Sequence, residues 1–157
     1  MSSLSVITPA LVLGGSGGAV PAGYVGEFIS SNVAGPGSGL TTGVVADITS
    51  IDITPGKWRV WATAGFQVQA TTSVDQLRAW INDTTVTTPT PDNGGAYFNA
   101  NYVAQVLGGS STYDFPVGQM IYTATENKTL YLSCRGTFTA STLSAYGFIG
   151  AMRVSST

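Results

Sequence analysis

Charge is scarce in this sequence. Asp, Glu, Lys and Arg make up 9% of its 157 residues, and there is no His. A soluble domain ordinarily carries about 25% charged residues; here there are 6 basic and 8 acidic side chains. Each shortage excludes something. Without His, the ordinary Ser-His-Asp and Cys-His arrangements and imidazole metal ligation are unavailable. A single cysteine, Cys134, leaves no intrachain disulfide and no Cys-rich metal site, and its apolar neighbours mark it as a small core residue. A net charge of −2 with no basic cluster offers nothing to neutralise phosphates, so nucleic acid is not an expected partner. No apolar run approaches the roughly 20 residues of a spanning helix, so membrane insertion is not expected either. The apolar N-terminus has no Lys or Arg before Leu13 and is interrupted by Pro9, which does not fit an export signal.

What remains is rich in Ser, Thr, Val and Gly, with 20 Gly and 7 Pro. Such a composition suits short strands joined by turns and suits helices poorly. A folded monomer of this mass exposes roughly 7,400 Å². A nearly neutral sequence covers that area most economically against copies of itself, so an assembly subunit is expected before an enzyme.

Residues 1–22 stand apart. Two short apolar runs, Val6-Ile7 and Leu11-Val12-Leu13, precede Gly14-Gly15-Ser16-Gly17-Gly18 and Pro21. With no period and no core, they read as an extended arm on a flexible tether. Val6, Ile7, Leu11, Val12 and Leu13 are its anchoring contacts. Residues 23–157 form the folded domain. Strands are expected at Tyr24–Ser30, Val44–Thr54, Trp58–Val68, Leu77–Asn82, Tyr102–Val106 and Val117–Thr123. Two more carry Leu130, Leu132, Cys134 and Phe138 on one face, and Tyr146, Phe148, Gly150, Met152 and Val154 on one face. The clearest alternation sets Trp58, Val60, Ala62, Ala64, Phe66 and Val68 against Arg59, Trp61, Thr63, Gly65, Gln67 and Gln69. The phase slips between Ile48 and Ile51, as at a bulge. About eight strands, with one long loop near Thr84–Gly95, predict an all-β fold: an antiparallel jelly-roll-type β-sandwich with an extended N-terminal arm.

Little catalytic chemistry is on offer. Asp47 and Asp52 face opposite sides of a regular strand, though the suspected bulge leaves that open, and Asp75, Asp83, Asp92 and Asp114 fall at loops or strand ends. They read as solvated turn acids rather than a converging pair. The glycine stretch lacks the Lys-Ser/Thr of a phosphate-binding loop. No catalytic, cofactor or metal residues are assigned. The aromatics say more. Trp61 lies opposite the core set of its strand, Trp80 is out of phase with Leu77, Ala79 and Ile81, and Tyr97, Tyr102 and Tyr113 lie in or near loops. Outward aromatics amid Asn, Gln and Thr suit a subunit interface or second-layer packing, or a glycan-facing surface.

Several phrases resemble a bacteriophage virion domain found as small standalone proteins and at the tips of tail-fibre-like chains. They are Gly26-Glu27-Phe28-Ile29-Ser30-Ser31-Asn32, Leu40-Thr41-Thr42-Gly43, Ile48 through Trp58, Asn93-Gly94-Gly95-Ala96-Tyr97, Pro116-Val117-Gly118-Gln119-Met120 and Ala145 through Val154. The resemblance implies a trimeric jelly-roll module on the outside of phage particles, made in the host bacterial cytoplasm, with no family-wide catalytic residues. Where the family often ends in consecutive arginines, this chain has Met152-Arg153. The sequence before residue 23 does not read as a shaft. That favours a homotrimeric capsid decoration or cement protein on the virion surface, with partners in its own copies and the major capsid or another virion protein. The alternative is a tail-fibre or tail-associated module that binds a host surface glycan through the Thr84–Gly95 and Tyr97–Tyr113 regions.

Overall fold

The computed structural model describes residues 20–69, 71–85, 97–106 by their backbone, and 111–156. The expected arm, with Val6, Ile7, Leu11, Val12 and Leu13, lies outside the described residues. The ordered elements are β1 (Phe28–Gly39), β2 (Val45–Ile53), β3 (Gly56–Val68), β4 (Ser73–Asn82), β5 (Tyr97–Val106), β6 (Ser111–Ala124), β7 (Lys128–Thr139) and β8 (Leu143–Ser155). They form two antiparallel four-stranded sheets, ordered β1-β8-β3-β6 and β2-β7-β4-β5.

The pairings explain the order. β1 pairs with β8, β2 with β7, β3 with β6 and β4 with β5. The chain is one long nested hairpin rolled into a sandwich, with its apex at the β4–β5 connection. This is the jelly-roll architecture.

The core lies between the sheets. Trp58, Val60, Ala62, Ala64, Phe66 and Val68 of β3 all point inward, as their alternation predicts. Leu130, Leu132, Cys134 and Phe138 of β7 and Leu77, Ala79 and Ile81 of β4 face them from the other sheet. Each fully buried large apolar side chain contributes about 1.5–3 kcal/mol by leaving water. The slip expected in β2 is a register break between Asp47 and Thr49, which lets Ile48, Ile51 and Ile53 all reach the core.

The first strand departs most from expectation. It starts at Phe28 rather than Tyr24 and runs on past Ser30 to Gly39, with its pairing to β8 interrupted between Val33 and Ser38 at Ala34-Gly35-Pro36-Gly37. β1 is an edge strand, where a missing amide donor costs no ladder bond. β6, the opposite edge, likewise carries Pro116 and begins earlier than its apolar part, at Ser111.

At the open end of the nested hairpin, Arg153 and Glu27 close the fold. Arg153 is buried in the inward column of β8. Its Nε donates to Glu27 Oε2 at 3.0 Å, its Nη1 donates to the Pro55 carbonyl at 2.5 Å and its Nη2 donates to Thr54 Oγ1. The guanidinium also lies 4.3 Å from the centre of a Trp58 ring. Gly56 makes room for it: φ is +140°, and a Cβ there would stand 2.2 Å from Arg153 Nη1. Glu27 Oε2 also accepts the Gly23 amide at 2.7 Å, which ties the root of the N-terminal segment to the sandwich.

Candidate functional site

The outward face of the β1-β8-β3-β6 sheet carries the most unusual surface. Alternation puts Arg59, Trp61, Thr63, Gly65 and Gln67 of β3 on it, beside Tyr146, Phe148, Gly150 and Met152 of β8. Two glycines let the aromatic rings lie down. A Cβ on Gly65 would meet the Tyr146 ring at 2.1 Å, and one on Gly150 would meet Phe148 at 2.9 Å and Trp61 at 3.2 Å. Phe28 then stacks on Trp61, with centroids 5.8 Å apart and planes 19° from parallel. Phe28, Trp61, Phe148 and Tyr146 thus form an aromatic stripe. From Met152 to Tyr146 along β8 it spans about 20 Å, at about 3.3 Å per residue.

The two ends of the stripe differ. The end near the start of β1 is an exposed apolar patch. Phe28 is 54% exposed and Ile121, at the far end of the same cross-strand row, is 58% exposed, with Met152 and the exposed Arg59 between them. Tyr24 at 66%, Val25 at 61% and Val154 are exposed too, next in sequence to the Glu27–Arg153 closure. Residues 1–22 join the domain here.

The other end is a groove of about 260 Å³, lined by β1 residues 32–35, Thr63, Gly65, Asp114 and β8 residues 146–148. Tyr146 Oη donates to Asp114 Oδ1 at 2.7 Å. Burial, then the hydrogen bond and charge of Asp114, push the Tyr146 phenol above its ordinary pKa.

The carboxylates do not form a converging set. The β2 bulge puts Asp47 and Asp52 on the same outward face, opposite Ser133 and Thr129 respectively. Each is held by a hydroxyl: Ser133 Oγ donates to Asp47 Oδ1 and Thr129 Oγ1 donates to Asp52 Oδ1, both at 2.6 Å. Asp83 accepts from Tyr122 Oη at 2.9 Å. Burial foremost, then that bond and the charges of Asp83 and Glu126, leave the Tyr122 phenol pushed up to about 12. Among the described residues no three His, Cys, Asp or Glu side chains gather as a metal site, and no helix is long and apolar enough to cross a membrane.

Of the aromatics singled out from sequence, Trp61 is outward and half-buried, as its phase requires. Trp80 needs correction. It does leave the core face, standing opposite Ser133, yet it is fully buried. The chain leaving β4 turns back across this face, and Thr85 Oγ1 donates to Asp47 Oδ2 on β2, beyond Ser133 and Trp80. Trp80 is therefore no glycan-facing residue. Tyr113 is corrected too: it pairs with Phe66 on the inward side of β6 and packs against the core. Tyr97 and Tyr102 belong to β5, which starts five residues before the strand expected from Tyr102, and their side chains lie outside the described residues. Phe28, Phe148 and Tyr146 were not assigned from sequence. The signal was available in the outward phase of Gly65 and Gly150, which leave bare backbone for a neighbouring ring.

No known family's sequence profile matches the chain, and no curated protein does. Solved structures of VP2 from infectious bursal disease virus are similar in fold. A mutant VP2 is 12% identical with a TM-score of 0.42 over 84% of this chain and 30% of that one. The VP2 subviral particle gives 10% and 0.40 over 85% and 31%. The Gx strain gives 12% and 0.43 over 84% and 31%. This chain thus spans under a third of their length, and the likeness is one of fold.

Proposed function

We propose that this chain is a virion structural protein: a homotrimeric capsid decoration or cement protein, fixed to the major capsid protein or another virion protein by residues 1–22. The observation that carries the reading is the exposed apolar patch of Phe28, Ile121, Val25, Tyr24 and Val154 at the root of those residues. In a chain so poor in charge, several large exposed aromatic and aliphatic side chains at one end of the sandwich, with Arg59 among them, suit a surface covered by another subunit. The resemblance of its phrases to phage virion modules supports the same reading. A closed trimer covers the patch on every copy. It also presents three anchoring segments together, so weak single contacts with the shell become strong through effective concentration.

Deleting residues 1–20 tests the anchoring. The truncated protein is expected to remain trimeric and to lose co-sedimentation with its particle; unchanged particle binding overturns the reading. The alternative, a tail-associated glycan binder working through the Thr84–Gly95 and Tyr97–Tyr113 regions, draws less support. Of its described aromatics, Trp80 is covered and Tyr113 packs against the core, which leaves Trp61 on an open face.

A further inference from the structure

We propose that the groove at the far end of the aromatic stripe binds one ring of a neutral saccharide. The inference does not depend on trimerisation or on the N-terminal segment. Its first support is a set of solvent-facing polar side chains on one groove. Asn32, Thr63 and Asp114 line the same groove. Tyr146 occupies Asp114 Oδ1, while the exposed Asn32 amide, Thr63 hydroxyl and Asp114 Oδ2 face solvent and are open to a ligand. A mostly apolar hollow with a few convergent polar groups is how small-molecule sites are built.

The shape adds to this. Gly65 lets the Tyr146 ring lie across the sheet, and Gly150 does the same for Phe148. Together they give the hollow aromatic walls against which the C–H face of a pyranose can pack. The volume of about 260 Å³ falls below the roughly 300–1,000 Å³ of sites that enclose drug-sized ligands, so it suits a single ring.

The charge narrows the class. The lining holds one carboxylate and no Lys or Arg. A sugar hydroxyl can donate to Asp114 Oδ2, a charge-assisted bond stronger than a neutral one. A second hydroxyl can meet the Asn32 amide, which both donates and accepts. A phosphate, sulfate or uronate instead meets an uncompensated carboxylate. The groove sits about 20 Å along β8 from the apolar patch, so covering that patch leaves it open.

The test is a titration of the full-length protein, followed by amide NMR, with the methyl glycosides of glucose, galactose and mannose. Methyl glucuronide and lysine amide serve as charged controls. At least one neutral glycoside is expected to shift the Gly65 and Gly147 amides with an affinity on the order of millimolar, typical of a small polar ligand in an open site. Asp114→Asn is expected to weaken that binding about tenfold, the scale of one hydrogen bond to a charged group. Phe148→Ala is expected to weaken it as well, with both variants melting as the natural chain does. Three results overturn the proposal: groove amides unmoved by every neutral glycoside, Asp114→Asn binding as tightly as the natural chain, or preferential binding of a charged control.

Discussion

Arg153 shows how one charge becomes tolerable inside a nearly neutral protein. It is surrounded by acceptors and an aromatic face, and Glu27 supplies the countercharge. Removing one member of a buried pair strands the other, at a cost of about 3–5 kcal/mol. Arg153→Met is therefore expected to lower Tm by on the order of 10 °C, and adding Glu27→Gln should recover part of the loss. Thermal unfolding of the two variants checks both statements. The phenols make a second prediction. A group whose folded pKa lies above its unfolded value favours its neutral form in the fold. For Tyr122 that contribution is complete below about 10 and is lost as pH rises through about 12. Tyr146 shifts in the same direction. Spectroscopic titration should show the Tyr122 and Tyr146 phenols ionising late, with stability falling over that alkaline window. Cys134 completes the residue scale. Burial pushes its thiol up, so a thiol reagent should label it only as fast as the domain unfolds.

Among the elements, β3 was the most legible because one face is packed and the other open, so every second residue declares its side. β2 was nearly as clear. Its phase slip is a real bulge, and that same bulge brought Asp47 and Asp52 to one face. The second half of β1 was not legible because Gly35-Pro36-Gly37 is poor strand chemistry, tolerated on an edge where the ladder does not demand an amide donor. Trp80 marks a different limit. Phase tells which face a side chain takes but not what crosses over that face, and here the segment after β4 crosses it. The groove was hidden for a related reason: it depends on which residues of β1, β3, β6 and β8 stand side by side, and register across four strands is invisible in the linear chain. The sheet order makes a prediction at this scale. β8, β3, β7 and β4 are internal, whereas β1, β6, β2 and β5 are edges. Hydrogen exchange should find the slowest amides in the internal four, with β1 the first to open across its register break between Val33 and Ser38.

For the whole molecule, low charge and outward aromatics point the same way. The sandwich satisfies its own core but leaves Phe28, Ile121, Val25 and Tyr24 facing outward beside the segment that leads to residues 1–22. On the proposed reading, association covers that patch and the N-terminal segments moor the cluster, while the groove at the other end of the same face stays accessible. Sedimentation equilibrium of the full-length chain tests this most directly. The account predicts a stable trimer that Phe28→Glu combined with Ile121→Lys converts to folded monomers. A natural chain that sediments as a single protomer at micromolar concentrations would contradict it.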